Sequence, residues 1–165
     1  MIRRFGAPPE AGRDYVRRNG AYALLPRGGR LLVTCQHDPD PDFQLPGGGV
    51  DPGESPLLAL HREVLEETGW RISGVRRIGA FRRFVFMPEY GIWAEKICLI
   101  FRALPTLRLG PPSEAQHSAH WMAPGEAARL LSNAGDRYVA ARHSHLGGHG
   151  PMYSKRVAET SSSMP

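Results

Sequence analysis

Three glutamates that lie close together in the chain are the residues best able to do chemistry. Glu63, Glu66 and Glu67 stand at positions i, i+3 and i+4, so on a helix their carboxylates would leave one side within a single turn. The flanking residues predict such a helix, because Ser55 followed by a proline is typical of a helix start and Gly69 is typical of a helix end. The sequence therefore places three negative charges in one small patch.

A patch of three carboxylates is unfavourable unless a positive charge lies on it. Oxygen ligands suit Mg²⁺, with Mn²⁺ as the alternative, and Mg²⁺ commonly keeps waters and substrate phosphates among its ligands. We therefore expect a divalent cation and a phosphorylated substrate. Arg62, four residues before Glu66, can also reach back to Glu54 in the preceding loop and orient that acid.

A Glu-rich helix is usually no more than a solvent-exposed face of charges. Such faces normally carry Lys or Arg four residues from each acid, whereas this cluster has only Arg62 and follows the glycine run at residues 47–49. The whole combination of spacing and residue types favours a site over a charged surface.

The spacing of fixed residues from Gly48 to Trp70 resembles the signature of the Nudix hydrolase superfamily, which includes the MutT-like proteins. The segment reads Gly48-x5-Glu54-x7-Arg62-Glu63-Val64-x-Glu66-Glu67-x-Gly69-Trp70. The family signature is G-x5-E-x7-R-E-U-x-E-E-x-G-U, in which U is a bulky apolar residue, and every fixed position is present. The surrounding pattern extends the resemblance to about residues 18–132.

The resemblance implies an α/β fold, with a mixed β-sheet in an α/β/α sandwich, and Mg²⁺-dependent hydrolysis of a nucleoside diphosphate linked to another group. Nucleoside triphosphates, oxidised deoxynucleotides, ADP-ribose, dinucleoside polyphosphates and nucleotide sugars are such compounds. In this family water attacks a phosphorus of the pyrophosphate. Carried over by position, Glu63, Glu66 and Glu67 would bind the metal, and the carbonyl of Gly47 would be a further ligand.

Attack by water requires a carboxylate within hydrogen-bond reach of that water. In the family that this chain resembles, a loop ahead of the last helix often supplies a further acid, and Glu114 is the candidate here. An exposed loop glutamate is an equally good interpretation of Glu114. Glu63 and Glu66 are the other candidates for the base.

Three residues are predicted to contact the substrate. Arg82 and Arg83 lie on a predicted hairpin that borders the substrate cleft in the fold implied by the resemblance. Because adjacent residues of a strand point to opposite faces of a sheet, the two arginines cannot form one patch by themselves. Tyr90, near the hairpin connection, is a candidate for contacting a purine ring.

Strands and helices must position these residues. Two pairs of strand-like runs predict hairpins, the first from residues 19–25 and 30–35 and the second from residues 77–86 and 92–101. The continuous apolar run at 98–101 predicts a strand buried on both faces. Another helix is predicted at residues 124–131. The first helix should bury a broad apolar arc, formed by Leu57, Leu58, Leu60, Val64 and Leu65.

A length of 165 residues supports one domain. We expect the folded domain at residues 18–141, after a loosely ordered segment at residues 1–17 that is rich in Gly, Pro and Arg. Residues 142–165 form a His-, Gly- and Ser-rich tail that cannot bury enough apolar surface to offset its ordering entropy, so we expect this tail to be flexible.

The chain carries 21 Lys and Arg against 16 Asp and Glu, a net charge of +5. This modest excess is explained first by general solubility and second by attraction of a small polyanionic nucleotide, and nucleic acid is a less favoured partner. Because the sequence contains neither an apolar stretch that would span a bilayer nor the apolar segment of a secretory signal, we expect no membrane partner and a cytoplasmic location. Cys35 and Cys98 lie in apolar runs and are expected to be reduced core thiols.

Two alternative functions remain open. One is a regulatory protein of the same fold that binds a nucleotide without hydrolysing it, although the intact acids count against this alternative. The other is an RNA 5′-end pyrophosphohydrolase, whose affinity for RNA would depend strongly on salt. Members of the family often dimerise, so a homodimer is a further expectation of the resemblance.

Overall fold

The structure is a computed structural model that describes residues 2–143. Five strands precede the first helix, three strands follow it, and two helices end the described part of the chain. In order they are β1 (Arg3–Arg4), β2 (Val16–Arg27), β3 (Arg30–Gln36), β4 (Asp42–Gln44), β5 (Gly47–Gly49), α1 (Pro56–Thr68), β6 (Trp70–Met87), β7 (Ile92–Arg108), β8 (His117–Met122), α2 (Pro124–Leu130) and α3 (Ala134–Arg142).

The strands form a mixed eight-stranded sheet that is organised around β2. Residues 16–24 of β2 pair in parallel with β7, and residues 25–27 pair antiparallel with β3. The short strand β5 pairs antiparallel with β2, and β8 pairs with β3. Both predicted hairpins are present, but only residues 25–27 of β2 pair with β3 in the first, and β6 and β7 are longer than predicted.

Hydrophobic side chains pack on both faces of the sheet. Because side chains alternate along β2, Ala21 and Ala23 pack with α1 on one face, whereas Tyr22 and Leu24 pack with α2 and α3 on the other. The apolar run in β7 has buried residues on both faces of the sheet, with Cys98 on the face covered by α2 and α3. This confirms the prediction of a strand buried on both sides. The arrangement is the expected α/β/α sandwich.

Helix α1 begins and ends where the sequence predicts. The hydroxyl of Ser55 accepts a hydrogen bond from the Leu58 N–H at 3.2 Å, which caps the first turn. Gly69 adopts a left-handed conformation with φ of 73°, and its N–H donates to the Leu65 carbonyl at 2.8 Å. These caps fix the length of the helix that carries the glutamates.

The predicted apolar arc of α1 is too wide. Leu57 and Leu58 are exposed, at 50% and 64%, whereas Leu60 and Val64 are fully buried. Leu58 points about 160° away from Leu60 around the helix axis, so one sheet cannot cover both. Leu57 belongs to the first turn, next to the exposed loop at residues 51–53.

The N-terminal segment contacts the rest of the domain. β1 pairs in parallel with β6, and the Phe5 ring packs edge-on against Phe81 at 5.5 Å between centroids. The division into a segment at residues 1–17, a domain at 18–141 and a tail stays a prediction. Residues 144–165, which include nearly all of that tail, lie outside the described residues.

Two further expectations can be compared with the structure. Both cysteines are free and buried, as expected for core thiols. Among residues 2–143, no helix has the length and apolar character needed to cross a membrane.

Candidate active site

Strand β5 places glycine backbone directly beside the end of α1. A Cβ at Gly47 would lie 2.1 Å from the carbonyl oxygen of Ala21, and the φ of Gly47 is 138°, so no other residue fits this position without strain. The Gly47 N–H donates to Glu67 Oε2 at 2.9 Å. The role of the Gly47 carbonyl as a metal ligand stays a prediction. The hydrogen bond from the Gly47 N–H to Glu67 was not predicted.

Arg62 holds several of the acids with one guanidinium group. Its Nε and Nη2 donate to the two oxygens of Glu54 at 3.0 and 2.9 Å. Its Nη1 donates to Glu63 Oε1 at 2.8 Å and to Glu66 Oε2 at 3.2 Å. Nη2 also donates to the Gly49 carbonyl at 3.1 Å. The structure therefore contains the predicted contact between Arg62 and Glu54 and connects it to the glutamates of α1.

Glu54 is an ionised residue that holds Arg62 in place. Hydrogen bonds from Arg62 lower the pKa of Glu54, and the N–H of Asp51 contributes a further hydrogen bond at 3.1 Å. The same hydrogen bonds with Glu54 raise the pKa of Arg62. Because both partners stay ionised, Glu54 is suited to orienting Arg62 and poorly suited to accepting a proton.

The buried acids of α1 carry more negative charge than Arg62 can balance. Burial raises the pKa of Glu63, and Arg62 opposes that effect. Burial also raises the pKa of Glu67, which is 6% exposed, well above its usual value, although the Gly47 N–H opposes this shift. A divalent cation would supply the missing positive charge, so these oxygen donors fit such an ion.

The loop between β7 and β8 brings Glu114 to the glutamates of α1. The N–H of Ser113 donates to the Glu66 carbonyl at 2.8 Å, which fastens the loop to the helix. Glu114 raises the pKa of both Glu63 and Glu67 through its charge. Strand β8 separates this loop from the last two helices, so the loop does not directly precede a helix.

His117 is a member of this site that the sequence reasoning missed. Its Nδ1 lies 2.5 Å from Glu114 Oε2, and its Nε2 lies 3.9 Å from Glu67 Oε1. The local sequence around His117 has no recognisable motif. Its position three residues after Glu114 is the one signal that could have suggested it.

Arg82 and Arg83 have different surroundings, as expected for adjacent residues of a strand. Arg82 forms an ion pair with Glu95 at 3.2 Å. Arg83 lines a cavity of about 360 Å³ together with Asn133 and Arg137, at the start of α3. The two arginines therefore do not form one phosphate-binding patch.

The charges of Arg83 and Glu67 both act on the buried hydroxyl of Tyr22. Burial raises the pKa of Tyr22 well above its usual value, while the charge of Arg83 lowers this pKa and the charge of Glu67 raises it.

Tyr90 is exposed in the turn after β6, where the guanidinium of Arg18 lies 4.9 Å from its ring centre. The predicted substrate contacts of Arg82, Arg83 and Tyr90 stay predictions.

Curated proteins with similar sequences carry names of nucleotide and RNA hydrolases. A protein of Bacillus subtilis named "Putative 8-oxo-dGTP diphosphatase" is 37% identical over 78 residues, which cover 47% of this chain and 52% of that protein. An RNA pyrophosphohydrolase of Pectobacterium atrosepticum is 35% identical over 44% of this chain and 40% of its own length. A MutT-like protein of Streptomyces ambofaciens is 28% identical over 79% of this chain and 77% of its own length. The chain thus spans about half the length, or less, of the first two relatives.

Solved structures show the same fold. A MutT protein of Bacillus halodurans superposes with a TM-score of 0.63 and 24% identity, over 78% of this chain and 82% of its own. A Nudix hydrolase of Nitrosomonas europaea superposes with a TM-score of 0.60 and 17% identity, over 83% and 94% of the two chains. The sequence profile of the NUDIX domain matches residues 15–143, which include every element from β2 to α3. The chain therefore belongs to the Nudix hydrolase family.

Proposed function

We propose that the protein is a Mg²⁺-dependent pyrophosphohydrolase that acts on a small nucleotide, with Mn²⁺ as an alternative cation. The observation that carries the proposal is the convergence of Glu63, Glu66, Glu67 and Glu114 on one place, although they come from a helix and a distant loop. Glu66 and Glu67 would hold the cation, which would supply charge stabilisation at the phosphoryl oxygens and a more acidic bound water.

Arg62 and Glu54 fix the positions of the acids of α1 before substrate binds. Two hydrogen bonds from Arg62 to Glu54 leave Nη1 directed at Glu63 and Glu66. Side chains held by such a fork lose little further freedom when the substrate arrives. Arg62 and Glu54 therefore act as positioning residues, and the proton of the attacking water goes to a different carboxylate.

Glu63 is the best placed of the candidate bases. Its side chain is 13% exposed, and Oε1 is held by Arg62 at 2.8 Å, which fixes the carboxylate for accepting a proton from water. Glu114 contacts His117, so its carboxylate is already engaged. We therefore assign the proton-accepting role to Glu63 and a supporting role to Glu114.

Positive charge elsewhere on the domain favours a polyanionic substrate. Arg83 and Arg137 line the cavity at the start of α3, and Arg83 acts on the same buried hydroxyl as Glu67. A nucleoside triphosphate, including an oxidised guanine nucleotide, suits a domain that carries these cations as well as the acids of α1. The name of the Bacillus subtilis relative supports that substrate class.

RNA 5′-end hydrolysis is the second candidate. Arg3, Arg4 and Arg82 line a surface concavity of about 410 Å³, which could receive the phosphates of a longer chain. Relatives named RNA pyrophosphohydrolase support this alternative. A nucleotide-binding protein without hydrolytic activity is disfavoured by the intact acids of α1.

The test is a substrate panel measured with Mg²⁺ and then with Mn²⁺. It contains nucleoside triphosphates, oxidised guanine nucleotides, ADP-ribose, dinucleoside polyphosphates, nucleotide sugars and a 5′-triphosphorylated RNA. Release of pyrophosphate or phosphate from one nucleotide, absent in Glu66→Gln, would support the proposal. Turnover of the RNA alone, weakened by Arg4→Gln, would favour the second candidate. Folded protein that binds nucleotides without turnover would leave only the binding role.

A further inference from the structure

Glu67, Glu114 and His117 form a compact group of potential metal ligands at the edge of the glutamate cluster. One ligand atom from each residue lies within 4.8 Å of the others. Glu67 comes from α1, Glu114 from the loop after β7, and His117 begins β8. The side chains of Glu67 and His117 are each 8% exposed. An imidazole nitrogen is a different kind of ligand from the oxygens that the sequence motif supplies.

The oxygens of Glu67 have separate partners. Oε2 accepts the Gly47 N–H at 2.9 Å, while Oε1 faces His117 Nε2 across 3.9 Å. That separation is too long for a hydrogen bond. Two atoms that each lie about 2.0–2.2 Å from one cation are separated by roughly 3–4.3 Å, which includes the observed distance.

Glu114 contacts the other nitrogen of the same ring. Its Oε2 lies 2.5 Å from His117 Nδ1, a buried atom for which neither Glu114 nor any other described residue provides a well-aligned hydrogen bond. A carboxylate beside one ring nitrogen places the proton on that nitrogen and leaves a lone pair on the other. The lone pair of Nε2 then faces Glu67 Oε1.

We infer that His117 Nε2 and Glu67 Oε1 bind a divalent cation together and that Glu114 positions the imidazole. The inference deepens the proposed function, because it rests on a cation at the acids of α1. Imidazole is a ligand for first-row transition ions, the class to which Mn²⁺ belongs, whereas Mg²⁺ is held mainly by carboxylate and water oxygens. The nitrogen ligand therefore makes the site bind Mn²⁺ in preference to Mg²⁺.

The first measurement is pulsed EPR of Mn²⁺ bound to the full chain. Imidazole bound directly to Mn²⁺ adds a ¹⁴N modulation to the electron spin echo, and oxygen ligands do not. We expect this modulation in the wild type, its loss in His117→Gln and its retention in His120→Gln. His120 is a matched control, because it lies on the same strand and contacts Ser118 instead of the glutamates. Circular dichroism would verify that both variants fold.

Calorimetric titration with Mn²⁺ and Mg²⁺ measures the preference itself. His117→Gln should weaken Mn²⁺ binding at least tenfold and Mg²⁺ binding less than about threefold. Glu114→Gln should retain the nitrogen modulation but weaken Mn²⁺ binding roughly 10- to 100-fold, the usual effect of removing a partner of a ligating histidine.

The outcomes separate this inference from the proposed function. Bound Mn²⁺ that shows no nitrogen modulation, and is lost in Glu66→Gln, would overturn the role of His117 while leaving a cation at the acids of α1. Equal losses of Mn²⁺ and Mg²⁺ affinity in His117→Gln would overturn the preference. Folded protein that binds neither cation would overturn both proposals.

Discussion

Gly48 and Glu63 are in such close contact that no side chain fits between them. A Cβ at Gly48 would lie 2.5 Å from the carboxyl carbon and 2.5 Å from Oε2 of Glu63. Gly48 therefore leaves the space in which the Glu63 carboxylate lies beside β5. The fixed glycine of the motif is explained by this close approach and not by a turn.

Replacing Gly48 by alanine should displace the Glu63 carboxylate. The folded state can adapt, because the group in conflict is the end of a flexible side chain, but a shift of about 1 Å in a catalytic group can cost roughly 100-fold in rate. We expect kcat to fall by about that factor while the melting temperature changes little. Steady-state kinetics and thermal unfolding would measure the two effects.

Gly49→Ala is the matched control for that variant. A Cβ at Gly49 would meet no atom within 4 Å, although the residue is the next one along β5. Its activity should stay within about threefold of the wild type. Equal losses of activity in Gly48→Ala and Gly49→Ala would contradict a specific conflict with Glu63.

Glu66→Gln should abolish most metal-dependent turnover. The change removes a charged ligand while retaining an oxygen that can accept the hydrogen bond from Arg62, so the fold should survive. Loss of a ligand that helps stabilise the transition state should lower kcat by roughly 100-fold or more. Glu126→Gln, at an exposed position of α2, is the control and should keep its activity. Unchanged turnover in Glu66→Gln would refute the assigned metal site.

Arg62→Lys should disorganise the acids although it preserves the charge. A lysine cannot donate to Glu54 through two parallel hydrogen bonds and reach Glu63 at the same time. We expect kcat/KM to fall about 10- to 100-fold. Carboxyl NMR titration should show the pKa of Glu54 moving up towards its usual value, because the hydrogen bonds that lower it are gone.

The sign of the accompanying pH effect follows from the lowered pKa of Glu54. A carboxylate with a lowered folded-state pKa stabilises the protein above its unfolded-state pKa, and this contribution is lost as the pH falls through the folded-state value. Arg62→Lys should therefore lose less stability than the wild type on acidification below about pH 4.5. An unchanged pKa of Glu54 in Arg62→Lys would show that Arg62 is not its main partner.

Asp136 should make the protein less stable as the pH rises from about 4 to about 6. It is 2% exposed and accepts the Leu45 N–H at 3.1 Å. Burial raises the pKa of Asp136 to about 6, so the native state holds its proton after the unfolded chain, with a pKa of about 3.9, has released it. The loss of stability that this group causes by neutral pH is about 3 kcal/mol.

Asp136→Asn tests that effect, because an amide oxygen can still accept from Leu45 but carries no charge. Relative to the wild type, the free energy of unfolding of the variant should rise by up to about 3 kcal/mol between pH 4 and pH 7. Urea denaturation at several pH values measures this difference. Asp40→Asn, at an exposed position, should show no such trend. A constant difference between Asp136→Asn and the wild type would contradict a raised pKa at Asp136.

Several features of the site were predictable because they depend on residues near one another in the chain. The caps at Ser55 and Gly69 set the bounds of α1, and the helical repeat brings Glu63 and Glu66 onto one side. Arg62 reaches both from the same helix. Each of these relationships is decided by helix geometry and local hydrogen bonds, so the sequence pattern was sufficient.

Other features depend on how distant segments pack. The amphipathic pattern could not show that Leu57 and Leu58 would be exposed, because burial depends on where the sheet ends against the helix. The pairing of β1 with β6 likewise joins segments from opposite parts of the chain. Neither the composition nor the periodicity of the N-terminal segment indicates that partner.

The sequence alone was enough to indicate the family, helix α1 and its acids, since residues at seven fixed positions encode a local geometry. Only the tertiary structure brings His117 and Glu114 to Glu67 and separates Arg82 from Arg83 by their contacts. The physical reason is that β8 reaches the site by pairing with β3, while the loop before it is fastened to α1 through Ser113. Such contacts depend on strand register and packing, which no short motif encodes.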